Sequence, residues 1–245
     1  MSFEFLEPDR AAPELGFDPV PATVLLPQAR AAGGRIETRD GWRIAVDYGS
    51  QDGEREACRT TVGVGDFSWL GKIELQGPAP DVAAVGASAG APEIELGRAT
   101  GDGDPWWCPF SARRVLAVCP PGSTPGLREA LEEAAAAPPV SVTDLSCALA
   151  AIALVGPLAR DVLARLSAID LRPSVTPEAS FRPGSVARVP AMVLREHGDR
   201  YLLMFGSAYA QYMWAQVTDA AEPLGGLIVG AAALEPAAEE VAAGA

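Results

Sequence analysis

The run Asp66-Phe67-Ser68-Trp69-Leu70-Gly71-Lys72-Ile73-Glu74-Leu75-Gln76-Gly77-Pro78, with Asp81-Val82 after it, has a counterpart about 78 residues further on. That counterpart is Asp144-Leu145-Ser146-Cys147, then Leu149 to Val155, Gly156-Pro157 and Asp161-Val162. Both read Asp-x-Ser, apolar strand, Gly-Pro, helix start. A single Gly-Pro is common, but the same ordered set twice points to an internal duplication of a supersecondary unit, at a period too long for a solenoid. Leu70, Ile73 and Leu75 alternate partly with polar residues, the pattern of a half-buried strand. Leu149 to Val155 is apolar throughout, as in a strand covered on both faces. Gly-Pro ends each strand, because glycine supplies the turn and proline fits a first helical turn where no amide hydrogen is needed.

Beyond the second copy, Val162, Leu163 and Leu166 fall at helical spacing in a helix over 158–166. Strands follow over 185–195 and 200–205, with Gly198-Asp199 as the turn between them, then a helix over 208–221 and a strand over 227–234. That order is βαββαβ, the ferredoxin-like unit. The first copy gives a rougher version: strands near 70–76, 93–98, 113–119 and 140–142, and helices near 79–87 and 125–137. The expected fold is therefore α+β, two ferredoxin-like (βαββαβ) units from an internal duplication. Residues 23–65 join them through a helix at 23–32, a hairpin at 34–48 and a helix at 54–61. This division makes 23–65 plus 143–235 one domain and 66–142 a second, inserted one. Residues 1–22, acidic and proline-rich, read as an extended or disordered arm, and 236–245 as a disordered tail.

Composition excludes several kinds of function. The 245 residues can bury a core without disulfide or metal staples. A net charge of −13, from 19 basic and 32 acidic residues, repels nucleic acid and anionic lipid. His197 is the one histidine, so a multi-histidine metal site cannot be built, and a Ser-His-Asp or Cys-His site would rest on that residue alone. Cys58, Cys108, Cys119 and Cys147 form no CxxC pair and read as reduced thiols in a cytoplasmic protein. Met1-Ser2-Phe3-Glu4 opens no basic, apolar leader, and the longest uncharged apolar stretch, 224–234, is about half of a membrane span.

A run of further residues then carries a resemblance. Gly41-Trp42, Asp47-Tyr48-Gly49-Ser50, Glu54, Cys58-Arg59, Val62 to Ser68, Leu70-Gly71-Lys72-Ile73 and Gly77-Pro78 resemble the N-terminal part of the glycine-cleavage T-protein (aminomethyltransferase) family. Asp144 to Pro157 resembles the middle region of that family. Asp170-Leu171-Arg172-Pro173, Ser207, Tyr212 and Trp214 look most like the gamma subunit of heterotetrameric sarcosine oxidase, a shortened relative. The resemblance covers about residues 24–235. It implies a protein of one-carbon metabolism that binds tetrahydrofolate, lacks the family's C-terminal β-barrel, and passes a methylene or methyl unit from an amine-type donor to the folate. The alternative it implies is a non-catalytic gamma-type subunit beside flavin-dependent amine oxidase or demethylase subunits.

The site residues follow from the same resemblance. The family's acidic pair before the third strand maps to Asp104, with Asp102 beside it in Gly101-Asp102-Gly103-Asp104, as the catalytic carboxylates. The pterin-binding stretch falls near 189–199, where Glu196 is the nearest carboxylate. Tyr48 and Trp106 are candidate walls of the folate channel, and Arg195, Arg113 or Arg114 candidate partners of the folate's glutamate tail. Each has a plainer reading. A Gly/Asp cluster before a strand makes a turn, and strand aromatics usually make core. His197 next to Gly198-Asp199 reads as a solvent-facing turn residue, and the two Asp-x-Ser motifs as ties for the turns before their strands.

Overall fold

The computed structural model describes residues 20–136 and 139–234. The expected tail at 236–245, and all but the last three residues of the expected arm at 1–22, lie outside the described residues. The Arg43 N–H donates to Pro21 O at 2.8 Å, which holds the incoming chain against the first hairpin. Helix α1 (Leu26–Ala31) carries Pro27 in its first turn, where the missing amide hydrogen costs nothing. Strands β1 (Arg35–Arg39) and β2 (Trp42–Asp47) form a hairpin whose turn, Asp40-Gly41, has φ of 47° and 78°, both in the left-handed region that Asp-Gly accepts. Ser50 caps α2 (Gln51–Thr60) by accepting from the Gly53 N–H at 3.2 Å.

Two sheets follow. Strands β3 (Gly63–Asp66), β8 (Leu149–Val155), β9 (Ser180–Val186), β10 (Val189–Arg195), β11 (Arg200–Gly206) and β12 (Leu227–Ile228) make a six-stranded sheet in the order β12-β3-β8-β11-β10-β9. Strands β4 (Gly71–Gln76), β5 (Trp106–Ser111), β6 (Arg114–Cys119) and β7 (Ser141–Asp144) make a four-stranded sheet in the order β5-β6-β4-β7. Helices α3 (Ala79–Ser88) and α4 (Thr124–Ala134) join strands of the smaller sheet; α5 (Ala159–Leu166) and α6 (Ala210–Ala221) join strands of the larger.

The layers run helices, sheet, sheet, helices. Ile152 and Leu154 of β8 share a cluster with Val162 and Leu163 of α5 and Met213 and Val217 of α6. Their neighbours Ala151 and Ala153 face the other sheet, among Leu116 and Val118 of β6. That double burial explains the unbroken apolar run, as expected from the sequence. Ile73, Leu75 and Val115 take the outer face of the small sheet with Val82, Val85 and Leu131 of its helices.

The chain crosses between the sheets twice, and each crossing is an Asp-x-Ser turn. From β3 it passes through Asp66-Phe67-Ser68 into β4, and from β7 through Asp144-Leu145-Ser146 into β8. Each aspartate accepts from the N–H of its own serine at 2.9 Å. The turns then bond to each other's strands. Phe67 N–H donates to Ala151 O at 2.9 Å and Leu145 N–H to Lys72 O at 2.7 Å. Ala151 N–H donates to Ser68 Oγ at 3.1 Å and Lys72 N–H to Ser146 Oγ at 3.0 Å.

Three elements depart from the sequence reading. The expected strand near 93–98 is irregular, with Leu96 63% exposed, and the strand lies instead at β5. Pro109 is tolerated there because β5 is an edge strand, with a bulge between Pro109 and Ser111. The expected single strand over 185–195 is the hairpin β9–β10, turning at Ala187-Arg188 with φ of 47° and 66°. Neither residue is a turn former; the turn is held from outside, with Ala187 N–H on Leu166 O at 2.7 Å and Tyr212 Oη–H on Ala187 O at 3.1 Å. The expected strand over 227–234 stops at Ile228 and gives way to α7 (Ala231–Leu234). Gly230 sits so close to β2 that a Cβ there would lie 2.2 Å from the Val46 carbonyl carbon.

Lys72, the one lysine, is fully buried at the crossing. Its Nζ donates to the carbonyls of Leu70 at 2.8 Å, Ser68 at 3.0 Å and Ser146 at 3.4 Å. Burial pushes its pKa from 10.5 down to about 8, against the pull of the Asp66 and Asp144 carboxylates. Between about pH 8 and 10.5 the unfolded chain therefore binds the extra proton, and stability rises with pH across that window. Lys72→Met, which strips three carbonyls of their donor, should cost about 1–3 kcal/mol at neutral pH. Its melting-temperature deficit against the parent should widen from pH 8 to pH 10, measured by thermal unfolding. A deficit that stays flat or narrows contradicts a buried, titrating ammonium.

Candidate functional site

At the end of the inter-sheet space where β6 and β8 terminate, the chain leaves a cavity of about 820 Å³. One wall is the first crossing turn, with Phe67, Trp69 and Leu70; another is Val118-Cys119-Pro120 at the end of β6. Gly156-Pro157 and Arg55, Cys58 and Arg59 of α2 make the third side. The β10–β11 turn brings Glu196, His197, Asp199 and Arg200; the loop before β5 brings Asp102, Gly103 and Trp106; α7 closes the rim with Ala233 and Leu234. Apolar and aromatic walls with a few convergent charges are the ordinary make-up of a small-molecule site.

Arg200 organises the charges. Its Nε donates to Glu196 Oε2 at 2.7 Å and its Nη1 to Leu234 O at 2.6 Å, while the guanidinium lies 5.2 Å from the Phe67 ring centre. Glu54 provides the other anchor for the rim. Its buried carboxylate accepts from Tyr48 N–H at 2.6 Å and from Gly230 N–H at 2.8 Å, which fixes the start of the segment that leads into α7. Arg55 Nη2 adds a bond to Ala232 O at 3.3 Å. Burial pushes the Cys58 thiol up to about 11 and raises that of Cys119, so both thiols stay protonated near neutrality and neither is poised as a nucleophile.

Of the residues singled out from the sequence, Asp102, Trp106 and Glu196 meet on this cavity. Trp106 is buried and its ring lies 5.2 Å from that of His197. His197 is exposed, as a turn histidine should be, yet it stands at the cavity mouth. Asp104 is not among the lining residues; its carboxylate accepts from Ser123 Oγ at 2.7 Å. Tyr48 packs against Gly34 rather than the cavity, and burial raises its pKa. Arg195 is committed to backbone: its Nη1 donates to Thr176 O at 2.7 Å and its Nε and Nη2 to Gly198 O. Arg113 bonds Gly77 O and Arg114 pairs with Glu74, so the basic groups at the cavity are Arg55, Arg59 and Arg200 instead. Phe67 was legible as part of the Asp-x-Ser repeat; Arg200 carried no motif signal.

An α+β protein with two face-packed sheets and an aromatic-walled cavity at the strand ends can now be set beside known proteins. Residues 103–241 match the GCVT N-terminal domain family model, and the chain belongs to that family. It is 30% identical over 213 residues to the aminomethyltransferase of Streptomyces avermitilis, an alignment that covers 80% of this chain and 56% of that protein. It is 29% identical over 210 residues to the aminomethyltransferase of Streptomyces coelicolor, covering 80% and 56%. The chain thus spans about half the length of the curated relatives it matches. Among solved structures, glycine cleavage system aminomethyltransferase T from Bartonella henselae superposes with a TM-score of 0.72 at 19% identity, over 88% of this chain and 61% of that one. A chain of the heterotetrameric sarcosine oxidase from Corynebacterium sp. U-96 gives 0.62 at 20% identity, over 69% of this chain and 90% of that one.

The role of Arg200 as the tie between Glu196 and the rim has a direct readout. Arg200→Leu should speed amide hydrogen exchange across residues 229–234 by about tenfold or more, the loss of charge-assisted bonds to Leu234 and Glu196. Exchange there at the parent rate would show that Glu54 and Arg55 hold the segment without it.

Proposed function

We propose that the 820 Å³ cavity binds tetrahydrofolate and that the chain serves one-carbon transfer from an amine-type donor. The observation that carries this reading is the meeting of Glu196, Asp102 and Trp106, chosen from the sequence, on one cavity of suitable size. Small-ligand sites run to roughly 300–1,000 Å³, so the space suits a pterin with its benzoyl arm. Bound tetrahydrofolate supplies the ring nitrogen that accepts the one-carbon unit. Glu196, oriented by Arg200, is the acceptor for the pterin's amino and ring N–H groups. Trp106 and Phe67 offer aromatic faces to the bicycle. Asp102 is the carboxylate that the loop before β5 brings to the cavity for the transfer, since Asp104 is engaged with Ser123. Arg55 and Arg59 stand where carboxylates of the glutamate tail would need cations.

The same reading takes the molecule as two ferredoxin-like units from a duplication. Strand order β5-β6-β4-β7 supports it for the first, and β8, β11 and β10 in sequence across the larger sheet support it for the second. Four free cysteines favour a reducing, cytoplasmic setting, and no helix among the described residues is long and apolar enough to cross a membrane.

A second reading is a non-catalytic subunit of a flavin amine oxidase complex. It is favoured by one observation, the 90% coverage of the Corynebacterium sarcosine oxidase chain, against 61% for the Bartonella aminomethyltransferase structure.

Anaerobic titration with tetrahydrofolate, followed by tryptophan fluorescence, separates them, because Trp69 and Trp106 both line the cavity. Saturable quenching in the micromolar range is expected, weakened about tenfold by Glu196→Gln and unchanged by Asp104→Asn, with thermal unfolding as the control for folding. No binding up to about millimolar ligand removes the folate reading, and co-purification with a flavin-containing partner then selects the second.

A further inference from the structure

The inter-sheet space has a second opening, about 320 Å³ in volume, at the end where Arg114 begins β6. Its position mirrors that of the larger cavity. Arg114 pairs across the ladder with Gln76, the last residue before Gly77-Pro78, and Arg200 pairs with Val155, the last before Gly156-Pro157. Leu145 lines the small cavity and Phe67 the large one, and these are the middle residues of the two Asp-x-Ser turns. Each arginine is paired with a carboxylate and lies over a phenylalanine. Arg200 has Glu196 at 2.7 Å and Phe67 at 5.2 Å; Arg114 has Glu74 at 2.5 Å and Phe110 at 4.5 Å. The same device therefore stands at both ends of the interface between the sheets.

We infer that the small cavity is a second ligand site, and that it takes a small zwitterion with an apolar side chain, of the α-amino-acid class. Charge selects the class. Glu74 and Arg114 are the ionisable residues on its lining, so the pocket is neutral as a whole. A lone carboxylate or a lone ammonium would bring an uncompensated charge against apolar walls, whereas a zwitterion brings none. Arg114 Nε is taken by Glu74, which leaves the two terminal nitrogens of a half-exposed guanidinium for a bidentate carboxylate. The Glu74 side chain, 11% exposed, offers its carboxylate to the ammonium. Leu116, Leu145 and Met192 form the wall an aliphatic side chain would meet. The volume lies at the low end for small-molecule sites and fits a molecule of leucine's size, not a pterin. This inference does not rest on the folate reading.

The test is a methyl-resolved NMR titration of the full chain with L-leucine and with its two halves, 4-methylpentanoate and 3-methylbutan-1-amine. Saturable shifts at Leu116, Leu145 and Met192 are expected for leucine below about 10 mM, with each half binding at least tenfold more weakly. Pro190→Trp, placed on the exposed rim and clear of the ion pair, should abolish the shifts while leaving the melting temperature and any response at Trp106 unchanged. Glu74→Gln should weaken leucine at least tenfold and leave 4-methylpentanoate no weaker than before. The inference is overturned if leucine gives no saturable shift, if it perturbs Leu70 and Leu234 at the large cavity instead, if either half binds as well as the whole, or if Pro190→Trp leaves binding intact.

Discussion

Phe67 N–H reaches into β8 to meet Ala151 O, and Leu145 N–H reaches into β4 to meet Lys72 O; two serine hydroxyls close the same exchange from the other side. These bonds lie where the chain passes from one sheet to the other, so they fix how the two sheets face each other. A buried donor left without an acceptor costs about 1–3 kcal/mol, and here backbone amides of both sheets depend on residues of the opposite turn. Lys72 adds three carbonyl bonds that span both turns. A displaced turn would therefore break several buried hydrogen bonds together, which keeps the crossing in a single arrangement.

The cavities flank that constraint. One lies at each end of the space between the sheets, and each is lined by the middle residue of a crossing turn: Phe67 on one side and Leu145 on the other. Arg200 and Arg114 each bring a cation to a strand start and are each neutralised by a nearby carboxylate. The large cavity differs by having a rim from outside the sheets, α7, held through Glu54, Arg55 and Arg200. Glu196, Asp102 and Trp106 all lie on this cavity, in a chain that belongs to the GCVT family.

Much of this was legible in the residues. The Asp-x-Ser and Gly-Pro pairs located both crossings and both strands beyond them, because local hydrogen bonding and proline geometry act within a few residues. The apolar run 149–155 announced its burial on two faces. The failures came where distant contacts decided. Ala187-Arg188 turns because Leu166 and Tyr212 hold it, a bond no local pattern records. The strand at Trp106–Ser111 contains a proline that only an edge position excuses. Past the end of β12, Gly230 presses on Val46, where no side chain would fit. At the site, Glu196 and Trp106 lie on the cavity, whereas the guanidinium of Arg195, a candidate partner for a glutamate tail, bonds the carbonyls of Thr176 and Gly198. Arg200, five residues on, lines the cavity with no motif to mark it.

The most direct test of the crossing is a double-mutant cycle of Ser68→Ala and Ser146→Ala by denaturant unfolding. Each serine accepts an amide from the other turn's strand, and Lys72 bonds the carbonyls of both. Each single change should cost about 1–3 kcal/mol, and the pair should depart from additivity by about 0.5 kcal/mol or more. Singles that cost less than about 0.5 kcal/mol, or a pair that adds within about 0.3 kcal/mol, would show that the two serine hydroxyls act independently and that the crossing is not one cooperative unit.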